Sequence, residues 1–196
     1  MKRRSVLHAF AAGVALAACG STAQSGGTKT GGTTTATPTP PGAKATQATV
    51  ELAKGGSFTF TLRPDKAPQT VERFAGKANS GFYNNLTFHR VEDWVVQGGD
   101  PKGTGTGGDR VPSEYNDLSF KLGAVGIARG QDPAFNNDSQ WFVVKKDSTF
   151  LDKQYTAFGK VVRGLEVADK IVSAPRDGRD NPNERVEMKV RVAGAA

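Results

Sequence analysis

The residues best suited to chemistry are Arg90 and Gln97, which stand in the stretch F-H-R-V-E-D-W-V-V-Q-G-G-D at residues 88–100. Each is a polar side chain inside a short apolar run, and Glu92 and Asp93 separate the two runs. That pattern predicts a strand, a tight connection and a second strand. Alternation along a strand puts Phe88 on one face with Arg90, and Val95 on one face with Gln97. Where those faces meet, a guanidinium and an amide sit on an apolar wall, ready to hydrogen-bond a ligand. The spacing also suits a surface arginine paired with Glu92 or Asp93. His89 has neither a G-x-S-x-G serine nor a metal-spaced partner, so it reads as a buried, hydrogen-bonded structural residue on the face opposite Arg90. The run G-T-G-T-G-G at residues 103–108 lacks the Gly-Lys-Ser/Thr of a phosphate-binding loop, which argues against a nucleotide site.

The elements that must position these residues are short. Residues 48–53 and 57–62 alternate like paired strands around Gly55-Gly56. Val71, Phe74, Ala75 and Ala78 recur at helical spacing between Pro68 and Gly81, predicting an amphipathic helix. Further strands are predicted at 123–128, 140–145 and 156–162, a second helix at 165–172, and a last strand through Val186, Met188, Val190 and Val192. Many short strands with two separated helices argue for a mainly β, antiparallel barrel capped by helices.

Ahead of these elements lie two segments of different character. Lys2, Arg3 and Arg4 precede an apolar run from Ala9 to Ala18 that is too short to span a bilayer, so residues 1–18 read as a signal peptide. Arg3-Arg4 fits both a general secretory and a twin-arginine n-region. Leu16-Ala17-Ala18-Cys19 resembles the bacterial lipobox, which implies lipidation of Cys19. As the only cysteine, Cys19 has no disulfide partner within the chain. Residues 20–47 are Gly, Ser, Thr, Pro and Ala with no aromatic residue and only Lys29 and Lys44 charged, the composition of a disordered tether. Its typical end-to-end distance is roughly 30 Å. The expected organisation is signal peptide 1–18, lipidated cysteine and tether 19–47, and a folded domain at 48–196, exported and held on the membrane of the cell envelope or periplasm.

The formal charge of +7 includes the three basic residues of the signal segment; without them it is +4. The remaining Lys and Arg are interleaved with acids, which argues against nucleic acid as a partner.

Across residues 48–193 the motifs occur in an order that resembles the cyclophilin family of peptidyl-prolyl isomerases. After the stretch at 88–100 come Gly105-Thr106-Gly107-Gly108, Gly126-Ile127-Ala128, Ser139-Gln140-Trp141-Phe142, Phe150-Leu151-Asp152 and Phe158-Gly159-Lys160-Val161. The resemblance implies a closed eight-stranded antiparallel barrel with a helix over each end, acting as a monomer on proline-containing polypeptides without metal or other cofactor. It implies Arg90 as the catalytic arginine and Gln97 as its hydrogen-bonding partner. Phe142 would floor the proline pocket, Trp94, Val95 and Leu151 would wall it, and Ala128, Arg129 and Gln140 would edge the peptide groove. Phe150 stands where many members have tryptophan, which resembles members that bind cyclosporin poorly, and Tyr155 where many have histidine. The family's Pro-Gly connection is replaced by the shorter Glu92-Asp93, Arg129 replaces a common asparagine, and the loop between Ala128 and Gln140 is two residues longer, with Asp138 in place of a common glycine. Two functions fit: an isomerase assisting the folding of exported proteins, and a proline-peptide-binding chaperone or envelope-complex subunit with weak turnover.

Overall fold

The computed structural model describes residues 45–194. The signal peptide, Cys19 and the tether up to residue 44 lie outside the described residues.

Strand β1 (Ala45–Leu52) starts three residues before the expected domain boundary at 48. It turns through Gly55 and Gly56, whose φ of 92° and 94° suit glycine, into β2 (Ser57–Leu62). Helix α1 (Pro68–Asn79) follows. Proline opens it, where the missing N–H costs nothing, but Ala67 at the cap position offers no side-chain acceptor. The Glu114 carboxylate replaces the cap, accepting from the backbone N–H of Gln69 (3.0 Å) and Thr70 (2.7 Å). Next come β3 (Leu86–Glu92), β4 (Val95–Gly98), β5 (Arg110–Pro112), β6 (Ala124–Ile127), β7 (Phe135–Asn137), β8 (Trp141–Val144), β9 (Ala157–Arg163), helix α2 (Leu165–Val172) and β10 (Glu187–Gly194).

Eight strands close an antiparallel barrel in the order β1-β10-β3-β4-β8-β6-β9-β2, while β5 and β7 form a separate two-stranded sheet. The sequence pattern missed that pair. Three-residue strands carry too little alternation to register, and β7 occupies the lengthened loop before Gln140.

The barrel is filled by rings around Trp141, which lies 5.6–6.3 Å from Phe58, Phe60, Phe74 and Phe88. Val71, Phe74 and Ala78 of α1 join this core from the end where β2 finishes. Val167, Ala168 and Ile171 of α2 join it beside the Gly55-Gly56 turn. Burial of these apolar faces on the barrel, rather than helix propensity, accounts for two helices of only 12 and eight residues.

A second apolar cluster lies outside the barrel wall, made of Val95, Phe120, Ala124, Ala128, Phe142, Val144, Leu151 and Ala157. Two packed layers therefore share β4, β6 and β8, with Val96, Val125 and Val143 facing inward and Val95, Ala124, Phe142 and Val144 facing outward.

Candidate active site

The outer cluster forms the floor of the candidate site. Arg90 pairs with Gln97 across β3 and β4, Gln97 with Phe142 across β4 and β8, and Phe142 with Gly126 across β8 and β6. Four adjacent strands thus align the guanidinium, the amide and the ring in one row on the outward face.

The expectation that Phe88 shares this face is wrong. Phe88 pairs with Gly98 and Arg90 with Gln97, so one extra residue, His89, is bulged between them. The bulge turns Phe88 inward against Trp141 (5.6 Å) and Arg90 outward. His89 is buried, as expected, at 7% exposure, but it lines the same cleft as Arg90 instead of facing away from it, and neither ring nitrogen has a hydrogen-bond partner among the described residues. Burial holds its pKa below the ordinary histidine value, against the opposing pull of Asp100.

Arg90 donates from Nη1 to Gln97 Oε1 at 3.2 Å and from Nη2 to Glu92 Oε1. Both pairings anticipated for this arginine therefore coexist. Gln97 Nε2 donates to Gln140 Oε1 (3.0 Å), and Gln140 Nε2 to the Gly107 carbonyl (2.8 Å), linking the row to the glycine loop. That loop is held by Asp100, whose carboxylate accepts from the N–H groups of Lys102, Thr104 and Gly105 at 2.9, 2.8 and 2.5 Å. Burial pushes the Asp100 carboxyl up, but the three backbone donors outweigh it and leave the group below its ordinary value.

Phe142 is stacked on Phe120 at 5.6 Å and met edge-on by Tyr155 at 5.8 Å. Tyr155 in turn carries the Arg129 guanidinium 4.6 Å above its ring, and Arg129 Nε donates to the Gln154 carbonyl at 2.8 Å. Trp94 packs against Phe150 at 5.4 Å. Phe150 is the most exposed large apolar side chain described, at 67%.

Arg90, Trp94, Val95, Gln97, Ala128, Arg129, Phe142, Phe150, Leu151 and Tyr155 all line one open cleft of about 750 Å³. Gln140 lies beyond its edge, in an adjoining cleft of about 410 Å³ that shares Gln97, Ala128 and Arg129. Asp138, the departure from a common glycine, is buried and pairs with Lys77 at 3.0 Å while accepting from the Asp109 N–H at 2.8 Å. Among the described residues no three His, Cys, Asp or Glu side chains gather where they could hold a metal ion.

Sequence reasoning missed the segment 176–182, which brings Asp177, Arg179 and Asn181 to the cleft. Its Asp-Gly-Arg-Asp-Asn-Pro composition signals a turn. Its place over the site comes from long-range bonds: the Val91 N–H donates to the Asp180 carbonyl (2.8 Å), and Arg176 pairs with Asp93 (2.7 Å). Phe120 under Phe142 was missed for the same reason.

Residues 47–192 match the family model described as cyclophilin type peptidyl-prolyl cis-trans isomerase/CLD. The chain is 40% identical over 149 residues to peptidyl-prolyl cis-trans isomerase B of Bacillus subtilis, covering 73% of this chain and 95% of that protein. It is 37% identical over 143 residues to the peptidyl-prolyl cis-trans isomerase-like 2 protein of Rhizopus delemar. That match covers 68% of this chain, and the chain spans only 26% of the length of that larger relative. The crystal structure of a Cryptosporidium parvum cyclophilin type peptidyl-prolyl cis-trans isomerase superposes with a TM-score of 0.72 at 25% identity, covering 78% of this chain and 99% of that one. The same parasite protein has also been solved in the presence of the dipeptide Ala-Pro. With the family model matching nearly all of the described residues and the fold superposing on a solved relative, this chain belongs to the cyclophilin-type peptidyl-prolyl cis-trans isomerase family.

Proposed function

We propose that this protein catalyses cis-trans isomerisation of Xaa-Pro bonds in exported or envelope proteins, working as a monomer tethered to a membrane through lipidated Cys19. The observation that carries the reading is Arg90, held by Gln97 in one row with the apolar pocket over Phe142.

An Xaa-Pro bond rotates over a barrier of about 18–20 kcal/mol because rotation breaks amide resonance, and unaided it takes tens of seconds. Catalysis needs a pocket that fixes the proline ring while the preceding carbonyl swings. Val95, Phe142 and Leu151, all under 7% exposed, supply an apolar seat for the ring. The prolyl nitrogen offers a lone pair only in the twisted state, so a hydrogen bond from Arg90 to that nitrogen favours the transition state over either ground state. The rim formed by Ala128, Arg129 and Gln140 holds the peptide on either side of the proline. A five-decade acceleration requires roughly 7 kcal/mol, shared between this bond and carbonyl binding.

The test is the cis-to-trans rate of an Ala-Pro-containing peptide with purified protein and with Arg90→Ala. A loss of about a hundredfold in a folded variant is expected. Absence of acceleration by a folded, peptide-binding wild type would instead support a chaperone or envelope-complex subunit. The anchor is tested separately: Cys19→Ser should move the protein from the membrane to the soluble fraction, and unchanged fractionation would remove the lipid from the proposal.

A further inference from the structure

Glu92 is the residue of the site that neither the motif pattern nor the pocket chemistry explains. It occupies the last rung of the β3–β4 hairpin, opposite Val95, so a two-residue connection of Asp93 and Trp94 returns the chain immediately beside it. In this short hairpin Glu92 lies two residues from Arg90 and on the same outward face. Its two oxygens take different partners. Oε1 accepts from Arg90 Nη2, and Oε2 accepts from Trp94 Nε1 at 2.9 Å.

We propose that Glu92 is a positioning residue for the isomerisation, holding the Arg90 guanidinium in its working orientation from the side opposite Gln97. The inference rests on the isomerase reading above. The Arg90 side chain is 43% exposed, and a long side chain so open to water samples several rotamers unless it is tied. Gln97 ties Nη1 and Glu92 ties Nη2, which leaves the Nε hydrogen and one hydrogen on each terminal nitrogen for the peptide. The Glu92 side chain is itself only 27% exposed and is fixed by the indole of Trp94, so the carboxylate is a firm point of attachment.

A carboxylate here has a second effect, because its charge partly offsets that of the guanidinium. The two effects have opposite signs in turnover. The acceptor in the twisted peptide is a neutral nitrogen lone pair, for which the direction of the donor matters more than net charge. Positioning therefore prevails, and Glu92 raises kcat through Arg90.

The experiment compares wild type, Glu92→Ala, Glu92→Gln, Arg90→Ala and the double variant Arg90→Ala/Glu92→Ala on an Ala-Pro test peptide. The Arg90 Nε–H signal is followed by NMR in the same samples. Glu92→Ala should lower kcat about tenfold with a smaller change in KM. Glu92→Gln, which keeps a neutral acceptor, should recover part of the loss. The double variant should be no slower than Arg90→Ala alone, because Glu92 acts through the arginine. A kcat that is unchanged or raised in Glu92→Ala, or an additive loss in the double variant, overturns the proposal. If wild type shows no turnover, the isomerase reading fails, yet the positioning is still measured: the Nε–H signal should be resolved in wild type and averaged in Glu92→Ala. Equal mobility in the two proteins also overturns it.

Discussion

Gly126 faces Phe142 across the β6–β8 ladder, and the side chain that Gly126 lacks is the space the Phe142 ring fills. A Cβ built on Gly126 would collide with the far edge of the Phe142 ring and stand 2.6 Å from Cε1 of Phe120. The backbone of β6 and the floor of the pocket are therefore in direct contact. Gly126→Ala should displace the stacked Phe120–Phe142 pair and cost about 1–3 kcal/mol of stability. It should also lower kcat/KM at least about tenfold, because the pocket floor moves by a fraction of its own width. Denaturant unfolding and the peptide assay on one preparation check both.

The buried His89 predicts a pH dependence of stability. Its folded-state pKa lies below the ordinary 6.5, so beneath that pH the unfolded chain takes up a proton that the folded protein refuses. Stability then falls as the pH drops through 6.5 toward the folded-state value, with a slope of at most about 1.4 kcal/mol per pH unit. The carboxylates with lowered values, Asp100 among them, act only at more acidic pH. His89 is the only histidine among the described residues, so His89→Gln should flatten the curve between pH 7 and pH 5, by chemical denaturation at each pH. An equal slope in the variant would assign the effect elsewhere.

Asp100 predicts a local opening. Its carboxylate serves three backbone donors of the glycine loop, and an asparagine has one acceptor oxygen in place of two. Asp100→Asn should cost about 1–3 kcal/mol by replacing a buried, charged acceptor with an amide whose N–H₂ faces backbone donors. Proteolytic cleavage within residues 101–108 should become faster while the barrel core stays protected against hydrogen exchange.

Phe150 bears on drug binding. Its ring is exposed and packs edge-on against Trp94 at the mouth of the cleft, where the resemblance to other members implies weak cyclosporin inhibition. Phe150→Trp adds an indole N–H and apolar area at the rim. It should tighten inhibition by roughly tenfold or more, measured as the drug concentration that halves isomerisation. Nanomolar inhibition of the wild-type protein would refute the expectation.

Much of this architecture was legible in the chain because it rests on neighbours two to four residues apart. Alternation in residues 57–62 marks β2, and the recurrence of Val71, Phe74, Ala75 and Ala78 after Pro68 marks α1. Gly55-Gly56 marks the first turn, and the ordered motifs identify Arg90, Gln97 and Phe142 as one site. The strand edges differ by only a few residues, since the ends of β1 and β10 are set by pairing with each other.

What the tertiary structure alone decided concerns strand register and partners far apart in sequence. The bulge at His89 reverses the face of Phe88 by setting Phe88 against Gly98 and Arg90 against Gln97, a register that strict alternation along β3 does not report. Glu92, by contrast, takes its two donors, Arg90 and Trp94, from only two positions away within the hairpin. The turn carrying Arg179 is held at the cleft by Val91 and Asp93, roughly 85 residues earlier. Local pattern reports which residues prefer to be buried or extended. Register, and hence which side chains share a site, is a property of the closed sheet, in which every strand must satisfy two neighbours at once.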